Sequence, residues 1–344
     1  MPAFRRQMVI FLKFGQDFNY MNQLEQIQAP IRKELGEFEN ILSASLKSNV
    51  PLLGVITNYL LRRKGKQMRP MFVFFSAQMH GQVNKSTYTA ATLIELLHTA
   101  TLVHDDVVDE SYERRGFFSI NAIWKSKISV LLGDFLLARG LLVSVENEAF
   151  DLLHIVSEAV QEMAEGELLQ IQQFRKKFLK SEQYFEIIKK KTATLIAACA
   201  AAGAKSVGAD KEAVQKMKDI GLYIGIAFQI KDDLFDYERK SLTGKPNAND
   251  IKEKKVTLPL ICALEKAGSA ERSSILKLLH SKDFTNKKVD EIIQFVEKYN
   301  GLESSRQKMN EYKMKALNLL AEYPDSAAKA SFIQLINYTT ERTN

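Results

Sequence analysis

Apolar residues recur at helical intervals along almost the whole chain. Between residues 24 and 46 they fall at Leu24, Ile27, Ile31, Leu35, Phe38, Ile41, Leu42 and Leu46, the three- and four-residue spacing of one helix face. Pro30 sits inside that stretch and predicts a helix start or a kink there. Residues 88–108 read as a long apolar helix that ends in acids. Residues 128–145, 150–174, 181–202, 211–237 and 258–265 read likewise. Four shorter amphipathic segments follow Gly268, at 270–279, 287–299, 304–323 and 326–338, with Asn300-Gly301 and Pro324-Asp325 as breaks. The run Phe72-Val73-Phe74-Phe75 is the best strand candidate, but one short strand makes no sheet. Short connections and the lack of repeats predict a single all-α domain over 21–344, a helical bundle. Residues 1–20, basic and aromatic, read as an N-terminal extension, because Met21 offers an alternative start.

Composition narrows the classes. Sixteen glycines and seven prolines in 344 residues fall below the usual shares of roughly 7% and 5%, which disfavours turn-dense all-β folds. Hydrophobic residues at 46% supply a packed core and exclude wholesale disorder. Two cysteines, Cys199 and Cys262, make neither a disulfide framework nor a four-cysteine zinc site. No apolar run reaches the roughly 18 uncharged residues of a membrane span. The best, 128–143, is interrupted by Asp134 and Arg139. These features predict a cytoplasmic protein without a transmembrane segment. The net charge of +7 invites an anionic partner, phosphorylated metabolite, nucleic acid or transiently contacted membrane surface.

Two acidic clusters choose among these. His104-Asp105-Asp106-Val107-Val108-Asp109 follows the nearly uncharged stretch 90–103. Asp105 and Asp109, four apart, share a helix face with Cβ atoms roughly 5–6 Å apart, where like charges repel. A cation is the natural neutraliser. Lys231-Asp232-Asp233-Leu234-Phe235-Asp236 repeats the Asp-Asp-x-x-Asp spacing after another apolar helix. Together the clusters predict an oxygen-only site for a hard divalent ion such as Mg²⁺, shared with substrate phosphates. No histidine or cysteine stands in zinc-ligand spacing, and neither cluster is an EF-hand loop. Several cations answer the acids: Lys66 and Arg69 in Gly65-Lys66-Gln67-Met68-Arg69-Pro70, then Arg114, Arg115, Lys191, Lys245 and Lys255. They exceed what one phosphate needs, which suggests two diphosphate sites. The polar loop 241–255 lies beside the second cluster.

In this order the motifs resemble the trans-prenyl diphosphate synthases, with Gly-Lys-x-x-Arg-Pro upstream and Gly-Lys-Pro and Thr-Leu-Pro downstream. Leu132-Gly133-Asp134 and Glu165-Gly166-Glu167 also match family patterns. The resemblance covers roughly residues 61–260. It implies an all-α bundle of the isoprenoid-synthase type around a central apolar cavity. It also implies Mg²⁺-dependent condensation of isopentenyl diphosphate with an allylic diphosphate, and a homodimer. By resemblance, Asp105, Asp109, Asp232 and Asp236 belong to the metal sites, with Asp106 and Asp233 supporting them. Lys66, Arg69, His98 and Arg115 would hold isopentenyl diphosphate; Arg114, Lys191, Lys245 and Lys255 would hold the allylic diphosphate. Thr192 and Gln229 would lie near the developing carbocation. Departures fall at Lys64, at Phe117-Phe118-Ser119 and at Lys254, where the family commonly has glycine, Pro-Thr and glycine.

Ala100 and Thr101 lie one helical turn, about 5.4 Å, before the first cluster. Short-product members usually carry an aromatic plug at that level. Small residues there predict a product longer than four isoprene units, and Ala100→Phe is expected to shorten it. A short-chain synthase, a terpene cyclase or a non-catalytic partner subunit of the same fold are the alternatives. The six intact motif aspartates disfavour the last. The lysine runs 189–191 and 252–255 come without a nucleic-acid motif, so no nucleic-acid partner is expected.

Overall fold

Chain entry into the longest early helix is set by one residue. Asn84, in extended conformation, accepts hydrogen bonds on its side chain from the Ser86 and Thr87 amides, and Thr87 bonds back to the Asn84 amide. This reciprocal cap satisfies amides that a helix start leaves unpaired. The computed structural model describes residues 23–62, 65–114, 117–174, 179–238, 248–281 and 285–341. A short helix at 23–28 runs into a 3₁₀ turn, Ala29–Ile31, at Pro30. The helices that follow are α1 (Arg32–Ser45), α2 (Pro51–Leu61), α3 (Met68–Gln78), α4 (Lys85–Val108), α5 (Ile120–Glu146) and α6 (Phe150–Phe174). Then come α7 (Ser181–Ile188), a π-helical turn at Lys189–Ala193, α8 (Thr194–Ser206), α9 (Lys211–Glu238) and the short α10 (Asn249–Lys252). The chain continues through α11 (Leu258–Lys266), α12 (Ser269–Leu279), α13 (Asn286–Lys298), α14 (Gly301–Ala321) and α15 (Ala327–Glu341). The only sheet among the described residues is a two-stranded hairpin, β1 (Glu113–Arg114) and β2 (Phe117–Phe118), in antiparallel register.

The all-α reading holds, with one correction. Residues 72–75 are helical, inside α3, not a strand. Phe72, Val73, Phe74 and Phe75 are all buried. A helix buried on every side loses its polar stripe, and a short apolar run then cannot be told from a strand by period.

The described residues fall into two units. The first comprises Met1–Leu153, Ala202–Asp210 and Pro324–Tyr338. Its core joins α3 to Phe332, whose ring lies 5.6 Å from that of Phe72. There α4 packs along α5, and a Cβ on Gly140 would crowd Leu97 Cδ2 at 3.1 Å and Leu93 Cδ1 at 3.4 Å. By length and composition α5 is the one helix among the described residues apolar enough to cross a membrane, although Asp134 and Arg139 interrupt it. Arg139 Nε donates to the Ser45 carbonyl at 2.7 Å. The second unit comprises His154–Ala201, Lys211–Tyr323 and Thr339–Asn344. Its core gathers Ile188, Ala193, Ile230, Leu234, Leu258 and Ile261. There α9 packs along α14 and against the π-helical turn.

Candidate active site

Within the first unit the acids stand at the C-terminal end of α4. Asp105 and Asp109 are exposed, and Asp106 is buried between them. Asp109 caps the helix, its amide bonded to the Asp105 carbonyl at 2.8 Å. A helix C-terminus carries partial negative charge, so two further carboxylates on its last turn are doubly disfavoured. A bound cation removes both penalties. His104 stands beside this turn. Its Nε2 donates to the Val130 carbonyl at 3.2 Å and lies 3.6 Å from Asp134 Oδ1. A Cβ on Gly133 would fall 2.1 Å from that same nitrogen. The Leu-Gly-Asp signature thus leaves room for a histidine.

Arg69 forms a bidentate pair with Glu95, at 3.0 and 2.9 Å. His98 lies three residues beyond Glu95 and so on the same side of α4. Lys66 Nζ sits 5.3 Å above the Tyr338 ring. Arg114 lies on β1, while Arg115 and Lys245 fall outside the described residues. Ala100 is fully buried in an aliphatic cluster with Leu96, Val103, Leu132 and Leu136. Thr101 is half-buried, its hydroxyl donating to the His98 carbonyl.

The second unit presents its residues around a cavity of about 350 Å³, lined among others by Lys191, Thr192, Gln229, Asp233, Lys255 and Tyr184. Lys191 and Thr192 lie on the π-helical turn, a widened turn often found at functional sites. Its neighbours explain the Glu-Gly-Glu signature. Glu165 pairs with Lys190 at 2.6 Å and Glu167 with Lys191 at 2.5 Å. A Cβ on Gly166 would strike the Lys191 amide nitrogen at 2.6 Å. Gly225 likewise brings α9 against Ala193, where a Cβ would lie 2.5 Å from the alanine Cα.

The second acidic cluster occupies the last turns of α9, and its members differ. Asp232 is half-buried. Asp233 is buried, and accepts from Tyr184 Oη at 2.6 Å, Gln229 Nε2 at 3.0 Å and the Leu258 amide at 3.2 Å. Burial pushes its carboxyl up to about 7, against the pull of those three bonds. Asp236, expected only to hold metal, has another task. Its two oxygens accept from the Asn249 and Asp250 amides, at 2.7 and 2.9 Å, and hold the start of α10. Burial raises its carboxyl too. Lys255 pairs with Glu253 at 2.6 Å. Lys254 has φ of 60°, a left-handed conformation that suits the glycine common there.

No three His, Cys, Asp or Glu among the described residues are gathered tightly enough to form a metal cage by themselves.

A helical fold of the isoprenoid-synthase type, with two Asp-Asp-x-x-Asp turns and a lysine–threonine–glutamine cavity, defines a prenyltransferase. The chain belongs to the polyprenyl synthetase family, whose model matches residues 50–296. It is 31% identical to octaprenyl diphosphate synthase of Haemophilus influenzae, over 95% of this chain and 98% of the relative. Among solved structures it resembles a polyprenyl synthase of Caulobacter crescentus, complexed with calcium and isoprenyl diphosphate. The TM-score is 0.84 at 31% identity, covering 93% of this chain and 98% of that one. It also resembles geranylgeranyl pyrophosphate synthase of Bacteroides thetaiotaomicron, with a TM-score of 0.79 at 36% identity, covering 93% and 100%.

Proposed function

We propose that the chain condenses isopentenyl diphosphate with an allylic diphosphate in the presence of Mg²⁺, and extends the product beyond four isoprene units. The observation that carries this reading is the cavity of the second unit, where Lys191, Thr192, Gln229 and Lys255 line one space. Asp105 and Asp109 in the first unit, and Asp232 in the second, would each serve as metal ligands, with Asp236 using lone pairs that its backbone bonds leave over. Mg²⁺ bound there supplies Lewis acidity to the leaving diphosphate. Lys191 and Lys255 place fixed positive charge where that diphosphate departs. The Thr192 hydroxyl and the Gln229 carboxamide face the carbon that becomes cationic. Apolar walls such as Ile187, Ile188 and Val256 keep water from capturing it. The double bond of isopentenyl diphosphate forms the new C–C bond, and a proton is lost to the released diphosphate.

Two further points belong to the proposal. The burial of Ala100 means that Ala100→Phe would also overpack the aliphatic cluster, at about 1–3 kcal/mol. The same variant is expected to shorten the product, and a thermal midpoint must accompany the product measurement. A homodimer is supported by α5, which exposes Ile123, Val130, Leu131, Leu141, Leu142 and Val145, apolar residues on a face broken at Asp134, and exposed apolar clusters of this kind mark interfaces.

Purified protein, labelled isopentenyl diphosphate, a geranyl or farnesyl primer and Mg²⁺ test the reading by product mass. Linear chains above four units are expected. Chains stopping at four units would make it a short-chain synthase, cyclic hydrocarbons a cyclase, and no turnover a partner subunit.

A further inference from the structure

Thr192 can stabilise a neighbouring cation only if its hydroxyl presents lone pairs to it, and that polarity is set by the hydrogen bonds its proton and its partners make. Thr192 Oγ1 donates to Gln229 Oε1 at 2.9 Å. This requires the carboxamide oxygen, not the amide nitrogen, to face the threonine. The other end of the same group, Nε2, donates to Asp233 Oδ1. Asp233 Oδ2 is occupied by two donors, Tyr184 Oη and the Leu258 amide. A backbone N–H can only donate, so one side of this carboxyl is fixed as an acceptor. The relay runs one way through four side chains. Tyr184 and Leu258 anchor Asp233, Asp233 turns the nitrogen of Gln229 towards itself, and the oxygen left over takes the Thr192 proton.

We propose that Asp233 and Tyr184 are positioning residues for the prenyl transfer. By fixing the orientation of the Gln229 carboxamide, they commit the Thr192 proton inward and leave the lone pairs of its oxygen for the carbocation. The inference rests on the functional reading above. It separates Asp233 from its metal-binding neighbours, although the two share a motif. With the carboxamide reversed, Gln229 would donate to Thr192. The threonine proton would then point into the cavity, where it repels developing positive charge. The field of one preorganised dipole would change sign at the reacting carbon.

Asp233→Asn is the closest probe, because it keeps the shape and lets the carboxamide turn. Steady-state kinetics should show kcat lowered about 10–100-fold, the scale of one lost charge-assisted hydrogen bond. KM for both diphosphates and the Mg²⁺ dependence should stay within about threefold. Tyr184→Phe, a milder change that also covers the case where Asp233→Asn fails to fold, should lower kcat less and in the same manner. The deciding measurement is a double-mutant cycle with Thr192→Val. With no hydroxyl to orient, Asp233→Asn and Tyr184→Phe should cost nothing further in kcat. Fully additive losses, or a raised Mg²⁺ requirement in either variant, would overturn the proposal. A wild-type chain without turnover would instead sink the functional reading, and this inference with it.

Discussion

The two acidic turns share one spelling and live in different surroundings. Asp105 and Asp109 stand exposed at the end of α4. In the second cluster the middle aspartate is buried beneath three donors, and the last one holds the start of α10. Equal spacing therefore conceals unequal work. The first turn keeps its outer carboxylates in solvent. The second is partly scaffold.

That contrast can be broken. Its largest consequence concerns rate. Asp105→Asn should lower kcat by roughly a thousandfold, the scale of a lost charge-stabilising ligand. It should leave the thermal midpoint unchanged or slightly raised, since a like-charge pair at a helix C-terminus is relieved. A lowered midpoint would mean that Asp105 is structural. Next comes stability. Asp233→Ala strands the Tyr184, Gln229 and Leu258 donors and should cost about 2–4 kcal/mol in denaturant unfolding. A loss no greater than that of Asp105→Ala would erase the distinction. Asp236→Ala removes a helix cap and should cost about 1 kcal/mol, with α10 amides exchanging hydrogen faster. The smallest effect lies away from both motifs. Lys125 interrupts α5 with φ of 69° and ψ of 167°, a region that only glycine occupies freely. Lys125→Gly should therefore stabilise the first unit by about 1 kcal/mol. A destabilised variant would show that the lysine side chain contributes more than its backbone strain costs.

Much of this was legible in the chain itself. Periodic or simply apolar runs located α4, α5, α6, α9 and α14; the reading failed at 72–75, where α3 is buried on every side, and passed over α2. The family resemblance pointed to Lys191, Thr192 and Gln229, which line one cavity in the structure. What could not be read were partners distant in sequence. Nothing near Arg69 announces Glu95, and nothing near Gly133 announces His104. The role of Tyr184 was likewise hidden, because a tyrosine in an amphipathic helix reads as core until its hydroxyl is seen to reach Asp233. The glycines of Leu-Gly-Asp and Glu-Gly-Glu were visible as signatures, but their reason is steric and needs coordinates.

The widened turn at Lys189–Ala193 holds one residue more than the α-helical count. Everything from there to Ser206 is thereby rotated by about 100° from the course an unbroken helix would take. Ala193 and Ala197, which meet Gly225 and Gly221 across α9, owe their bearing to that surplus residue. Deleting it would swing the alanines off their glycine seats as surely as it would move Lys191 and Thr192. At this point of the chain, tuning the reaction and rebuilding the frame are one operation.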